Sequence, residues 1–513
     1  MAVIEQVLSW WTIPLLLIAW YGHSYFISYR HLRNIPAPFG AQVTNLWLFI
    51  VCRLKARSLY VDRAHQRLGK IVRIQPNHIS IADESAVAVI YGHGNGFLKS
   101  DFYDAFISIR PSVFTTRDRV HHSRKRKLVA HAFATRTVLE FEAYVHRILE
   151  LFVERMDQLI ETSPDRNQAG KPEARVDCFR WLNYLAFDII GDLTFGAPFG
   201  MLQRGADEVE TRETPDGPPS YISAVDVLGR RGEVNGVLGC LPWLRSYGRY
   251  LPDPFFRRGI DAVNQIAGVA VARVRERLES GPGEKRRDFL ARLIEGRDNT
   301  GEPLDREEVA AEATAYLVAG SDTTSTTLCA VINSLARHPE ILGKLQAELD
   351  EAIPEHVAVP RAEDIQDVQY LNWVIDESLR HHTTLGVGLP RLIPSDSPGV
   401  TILGRHFRPG TVLSVPAYSL HHDREIWGDD VDEFKPERWE SATPRQKKAF
   451  IPFSYGPRAC VGRNLAEMEL RLITATWARR YSFQPMDAEA VLVIKEGFLR
   501  KPGRVDVTLS RRR

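Results

Sequence analysis

Cysteine is scarce in this 513-residue chain. The five residues, Cys52, Cys178, Cys240, Cys329 and Cys460, are scattered and form no Cys-x-x-Cys pair. An odd, dispersed set argues against a disulfide framework and fits a reducing compartment. No Asn-x-Ser/Thr acceptor occurs, which fits a globular domain outside the secretory lumen. Charge of one sign is not in excess either. The 66 basic and 64 acidic residues leave +2, so nothing points to a nucleic-acid partner. Repeats, low-complexity tracts and a second linker are missing, so one large globular domain is the simplest organisation.

The N-terminus departs from this pattern. Residues 6–29 contain no Asp, Glu, Lys or Arg. A spanning helix needs about 20 mostly apolar residues. Trp10, Trp11, Trp20 and Tyr21 suit the bilayer interfaces, while Pro14 and His23 run against the assignment. A cleaved signal peptide is the rival, but Glu5 precedes the run without Lys or Arg, and no small-x-small site follows. Arg30, His31 and Arg33 follow, placing the bulk of the chain on the cytosolic side. The expectation is a single-pass anchor over 1–34, in the endoplasmic reticulum membrane, and a cytosolic catalytic domain over 35–513. Pro36 and Pro38 stiffen the connector between them.

Strands are few. Residues 70–74 and 78–81 alternate around Gln75-Pro76-Asn77 and predict a hairpin. Residues 400–402 and 411–415 form a second candidate pair. Helical patterning covers 137–161, 180–194, 261–278, 305–336, 340–352 and 371–381. The polar stretch 205–219 reads as an insertion loop, and 280–287 as a connection between helices. The chain is therefore mainly α with small β-sheets.

Chemistry concentrates near the C-terminus. Cys460 sits in Phe453-Ser454-Tyr455-Gly456-Pro457-Arg458-Ala459-Cys460-Val461-Gly462, just before an apolar helical run. A thiolate metal ligand needs a helix N-terminus, backbone N–H groups or a nearby cation. Gly456 and Gly462 would let the backbone approach a flat ligand. A lone cysteine is by default a buried structural residue. The full pattern Phe-x-x-Gly-x-Arg-x-Cys-x-Gly, however, resembles the haem-binding loop of the cytochrome P-450 superfamily, the haem-thiolate monooxygenases. The resemblance implies that fold, haem b, Cys460 as axial ligand, and Phe453 and Arg458 against the cofactor.

A second motif lies inside the longest helical stretch. From Val309 to Ala336 only Glu312 and Asp322 are charged, so the helix should be buried. Its middle, Ala319-Gly320-Ser321-Asp322-Thr323-Thr324, is rich in poor helix formers, and an interrupted helix could admit water or dioxygen there. Threonines back-bonded to the helix are the plainer alternative. Ala-Gly-x-Asp-Thr-Thr resembles the oxygen-activation segment of the same superfamily. Asp322 and Thr323 would then be the acid and alcohol that manage proton delivery.

Further matches follow from the resemblance. Glu377 and Arg380, at i and i+3, with Arg438 in Pro436-Glu437-Arg438-Trp439, match a buried structural triad. Trp439 stands where Phe is usual. His122 and Arg126 match a Trp-x-x-x-Arg pattern in which the Arg meets a haem propionate, with His122 replacing the Trp. Arg391 aligns with another propionate-binding arginine. Arg124, Lys125 and Lys127 would remain free to meet an acidic electron-donor protein.

Other stretches narrow the likeness. Residues 91–103, 183–202, 230–234 and 496–502 resemble the fungal benzoate para-hydroxylases within that superfamily. That likeness implies a small aromatic carboxylic acid and O2 as substrates, with electrons from NADPH through a flavoprotein reductase. No flavin or nicotinamide fingerprint is evident in this chain. A buried carboxylate needs a donor. Lys99, Ser100, Tyr103, Arg110, Thr383 and Thr384 are candidates, with Phe498 near the ring. Two alternatives stand beside benzoate 4-hydroxylation. One is the same chemistry on other small aromatic or phenolic acids, including O-demethylation. The other is a non-catalytic haem-binding sensor or electron carrier, against which Asp322 and Thr323 argue.

Overall fold

The computed structural model describes residues 12–167, 169–214, 217–279, 288–297 and 301–512. Helices dominate. The expected ones run Thr135–Thr162, Cys178–Phe195, Pro254–Glu279, Arg306–Arg337, Pro339–Ala352 and Gln369–His382. Arg57–Leu68, Arg119–Ala130, Ala224–Leu238 and Arg463–Arg480 add to them.

Arg306–Arg337 forms the axis of the core. Asp305 caps it by accepting from the Glu308 N–H at 2.8 Å, and Glu307 and Glu308 complement the helix dipole. Its small residues allow close neighbours. A Cβ on Gly320 would lie 2.6 Å from the Ile190 side chain, so Cys178–Phe195 packs there at a distance only glycine permits. Helices Thr135–Thr162 and Arg463–Arg480 complete the same apolar cluster.

The sheets are small. A five-stranded sheet carries the expected hairpin Ile71–Gln75/His78–Ile81. The second expected pair does not form. Val400–Ile402 pairs with Arg405–Phe407, and Val412–Ser414 joins the first sheet, parallel to His78–Ile81. Leu403 and Gly404 both adopt positive φ (50° and 74°), which closes a two-residue hairpin before Val412 is reached. Tyr481–Pro485, Asp506–Arg511 and Ala174–Asp177 make a three-stranded sheet, and Ile494–Glu496/Arg500–Pro502 a C-terminal hairpin. The polar stretch 205–219 contains the strand Val209–Thr211, which pairs with Ser220–Ile222. Residues 280–287, read as a helix connection, lie outside the described residues.

Residues 1–11, with Trp10 and Trp11, also lie outside them. Thr12–His23 is helical, and Leu15, Leu16, Leu17, Ile18 and Trp20 are exposed. Among the described residues no helix is long and apolar enough to cross a membrane. The connector is docked on the globule: Ile35 is buried, and the Arg73 N–H donates to the Pro36 carbonyl at 2.8 Å.

Candidate active site

The loop around Cys460 is moulded by the first third of the chain. Gly456 has φ +73°, and a Cβ there would lie 2.0 Å from the Tyr91 carbonyl oxygen. Glycine is thus required by a backbone neighbour. Gly462 has φ −85°, and its nearest protein neighbour for a Cβ is Phe133 at 3.8 Å, so no protein atom forces glycine there. Arg458 donates to the carbonyls of Thr116 (2.7 Å) and Arg117 (3.2 Å), and Arg126 to that of Ala459 (2.8 Å). The Cys460 N–H donates to the Phe453 carbonyl at 2.9 Å. Cys460 is the only accessible one of the five cysteines, and it opens onto an internal cavity. Burial raises its thiol pKa, while the Gly462 N–H, Arg126 and Arg463 pull the other way.

That cavity has a volume of about 860 Å³, within the range of small-molecule sites. One wall carries Phe453, Arg458 and Cys460; another carries Ala319, Gly320, Asp322 and Thr323. His122, Arg126 and Lys99 also line it. His122 is buried, and its pKa is pushed down to about 2 by burial and then by Arg458, Lys99, Arg126 and Arg391. The imidazole is neutral and can still donate one N–H. Four cations therefore crowd around it. Arg391 spends Nη1 on the Tyr103 hydroxyl (2.7 Å), but its buried Nη2 has no partner. Burial and the neighbouring Arg391 bring Arg458 down to about 10, still charged at neutral pH.

The central helix is continuous through this wall rather than interrupted. Ala319 is exposed to the cavity although most of the helix is buried. The Thr323 hydroxyl donates to the Ala319 carbonyl at 2.7 Å, the back-bonded arrangement. Asp322 is buried and forms an ion pair with Lys501 of the C-terminal hairpin. Behind Thr323, the Thr324 hydroxyl donates to buried Glu469 at 3.1 Å. Burial raises the Glu469 pKa to about 8, with the Thr324 bond opposing, so the carboxyl is largely protonated at neutral pH. The sequence reading missed Glu469 and Lys501. A carboxylate in the apolar run after Cys460 was the available signal for the first.

The candidate substrate contacts separate into groups. Lys99 is buried, its ammonium donating to the Val113 and Phe114 carbonyls and lying 4.8 Å from the Tyr103 ring centroid. Burial, then Arg391, Arg458 and Arg126, lowers its pKa. Tyr103 does not line the cavity; its hydroxyl accepts from Arg391. Arg110 is half-exposed and already paired with Asp305 (3.1 Å) and Glu307 (2.5 Å). Thr384 lines the cavity and shares a 2.9 Å hydrogen bond with Thr327. Phe498 lines it too, packed on Phe106 and Phe114. Ser100 caps a short 3₁₀ turn, and Thr383 hydrogen-bonds His421.

Glu377 and Arg380 are fully buried and form a bidentate pair, both bonds 2.8 Å. Arg438 Nε donates to the same carboxylate at 2.9 Å, and the Lys435 N–H at 3.0 Å. Trp439 adds its indole N–H at 3.1 Å, a donor that Phe would lack. The basic run 121–127 is not the free docking face expected. Lys125 is buried against Glu308 and Glu312, and Arg124 pairs with Glu308, because the acidic start of the central helix faces them.

A mainly helical fold whose cavity joins a loop cysteine to an Asp-Thr helix segment is that of a haem-thiolate protein. The chain belongs to the cytochrome P450 family, whose model matches residues 38–509. It is 53% identical over 501 residues to benzoate 4-monooxygenase bphA of Aspergillus niger, covering 97% of this chain and 96% of that protein. It is 31% identical to a cytochrome P450 monooxygenase of Aspergillus terreus, covering 94% and 97%. Cytochrome P450 monooxygenase traB of Penicillium crustosum is 32% identical, covering 90% and 88%.

The residues present fit haem. Lys99, Arg126, Arg391 and Arg458 surround His122 with no carboxylate among the groups that shift it, and Arg391 Nη2 is orphaned. Two propionates would supply the missing negative charge and acceptors.

Proposed function

We propose that this protein is a haem-thiolate monooxygenase that hydroxylates benzoate at its 4-position, using O2 and electrons from NADPH delivered by a flavoprotein reductase. Identity of 53% across nearly the whole chain to a protein named for that reaction carries the reading. Haem, when bound, supplies the oxygen-activating chemistry, with a Cys460 thiolate favouring O–O cleavage. Arg126, Arg391, Arg458 and His122 would hold its propionate edge, and Phe453 would pack against it beside Cys460. Thr323 presents a hydroxyl to the cavity, and Asp322, held by Lys501, is the adjacent proton carrier. Glu377, Arg380 and Arg438 brace the thiolate side.

Residues 35–513 are the catalytic domain, and 1–34 attach it to the endoplasmic reticulum membrane with the domain in the cytosol. The exposed apolar residues 15–18, Trp20, Phe26 and Ile27 support that attachment. Turnover of the full-length holoenzyme with reductase and NADPH tests the function. The expected product is 4-hydroxybenzoate, formed faster than any product from methoxybenzoates. No product from benzoate would overturn it.

A further inference from the structure

Arg231 lies on helix Ala224–Leu238 and lines the cavity, and a Cβ on the adjacent Gly232 would lie 3.9 Å from the Phe498 nitrogen. Only 8% of it is exposed. Its side chain makes no hydrogen bond or ion pair among the described residues, and its Nε is a buried donor with no acceptor. A buried, unpaired guanidinium is costly to keep.

The acids lining the cavity are committed elsewhere. Glu233 pairs with Lys55 at 2.5 Å, and Asp322 with Lys501. Asp177 accepts the Arg180 N–H at 3.3 Å, Asp226 is exposed, and Glu469 accepts from Thr324. Asp322 still acts on Arg231 through its field, but Lys501 already neutralises it. Arg231, Asp322 and Lys501 together carry one net positive charge.

The surroundings match a ring as well as an anion. The turn at Gly497 and Phe498 abuts the helix beside Arg231: a Cβ on Gly497 would lie 2.8 Å from the Glu233 nitrogen. Phe498, Phe106 and Phe114 pack edge-on and all line the cavity. A planar guanidinium fork lining the same cavity as these rings suits a carboxylate attached to a ring.

From this geometry we infer that Arg231 is the specificity residue that binds the substrate carboxylate. The ring then extends from the helix 224–238 wall with its para carbon farthest from the anchor. The inference rests on the proposed aromatic-acid chemistry and names the residue that recognises it. Asp322 and Lys501 remain a separate pair that keeps the neighbouring charge balanced.

Spin-state titration of the full-length holoenzyme tests this, with benzoate, benzamide and methyl benzoate as probes. Wild type should bind benzoate at least about 30-fold more tightly than either neutral analogue, the scale for losing one partner of a buried charge pair. Arg231→Met should lose about that factor for benzoate and little for benzamide, and Arg231→Lys should recover part of it. The carbon-monoxide spectrum of the thiolate-ligated haem reports that each variant is folded. If Arg231→Met does not fold, wild-type discrimination and the Arg231→Lys affinity decide. Unchanged benzoate affinity in Arg231→Met, in Arg231→Lys when the Met variant does not fold, or equal wild-type affinity for benzoate and benzamide, overturns the anchor alone. A wild type silent towards benzoate overturns the proposed function, and the anchor with it.

Discussion

Replacing Glu377 by Gln removes one charge and changes little shape. Its carboxylate receives five donors: two from Arg380, one each from Arg438 and Trp439, and the Lys435 N–H. Arg380 is wholly buried and Arg438 nearly so, with 0% and 6% side-chain exposure. The substitution therefore leaves the Arg380 guanidinium without a carboxylate, leaves Arg438 with the Asp430 carboxylate alone (3.2 Å), and turns an amide NH2 towards donors. Breaking a buried pair in this way costs about 3–5 kcal/mol. Trp439→Phe removes only one donor to a charged group, worth about 1.5–3 kcal/mol. In the Glu377→Gln background the indole loses its charged partner, so the two losses should fall short of additivity by at least about 1 kcal/mol. Urea unfolding, followed by the thiolate-haem absorbance, gives all four corners of the cycle. A Glu377→Gln protein within about 1 kcal/mol of wild type, or strictly additive losses, would refute the view that the carboxylate organises this network.

Gly456→Ala should abolish haem incorporation, because its Cβ would meet the Tyr91 carbonyl at 2.0 Å; Gly462→Ala, with 3.8 Å to Phe133, should still yield folded protein, and the carbon-monoxide spectrum separates them. Glu469→Gln should flatten the pH dependence of thermal stability. The folded-state pKa of about 8 exceeds the ordinary 4.5, so wild type keeps this contribution below 4.5 and loses it as pH rises to about 8. The variant should therefore gain on wild type at pH 8 relative to pH 5.

The elements legible in the sequence were those set by local rules. Apolar periodicity located five of the six expected helices to within two residues at each end, and started the sixth, Pro254–Glu279, seven residues late; the Asp305 start placed the central one to a single residue. The Cys460 and Asp322-Thr323 motifs do face one cavity. Strand partners were harder, because Val412–Ser414 had two compatible neighbours and the positive φ at Leu403 and Gly404 decided between them. Lys501, Glu469 and Arg231 were hidden for a different reason. Each belongs to the site through a contact far away in sequence, and a lone charge in a helix or hairpin carries no mark of what it will face. The basic run 121–127 failed in the opposite sense, since its exposed appearance ignored acids almost 190 positions downstream.

The moulding of the Cys460 loop also bears on when the protein becomes competent. Its bonds to Thr116, Arg117 and Arg126 span 342, 341 and 333 residues, and the bond from Asn464, just after it, to Phe133 spans 331. Such contacts are the slowest to form, because chain closure is required before they contribute. On the ribosome the mould emerges long before the segment it shapes. A nascent chain halted before Phe453 holds the receiving surface and none of the ligand loop. Cofactor capture is therefore a closing event, in which the last eighth of the chain returns to the first third.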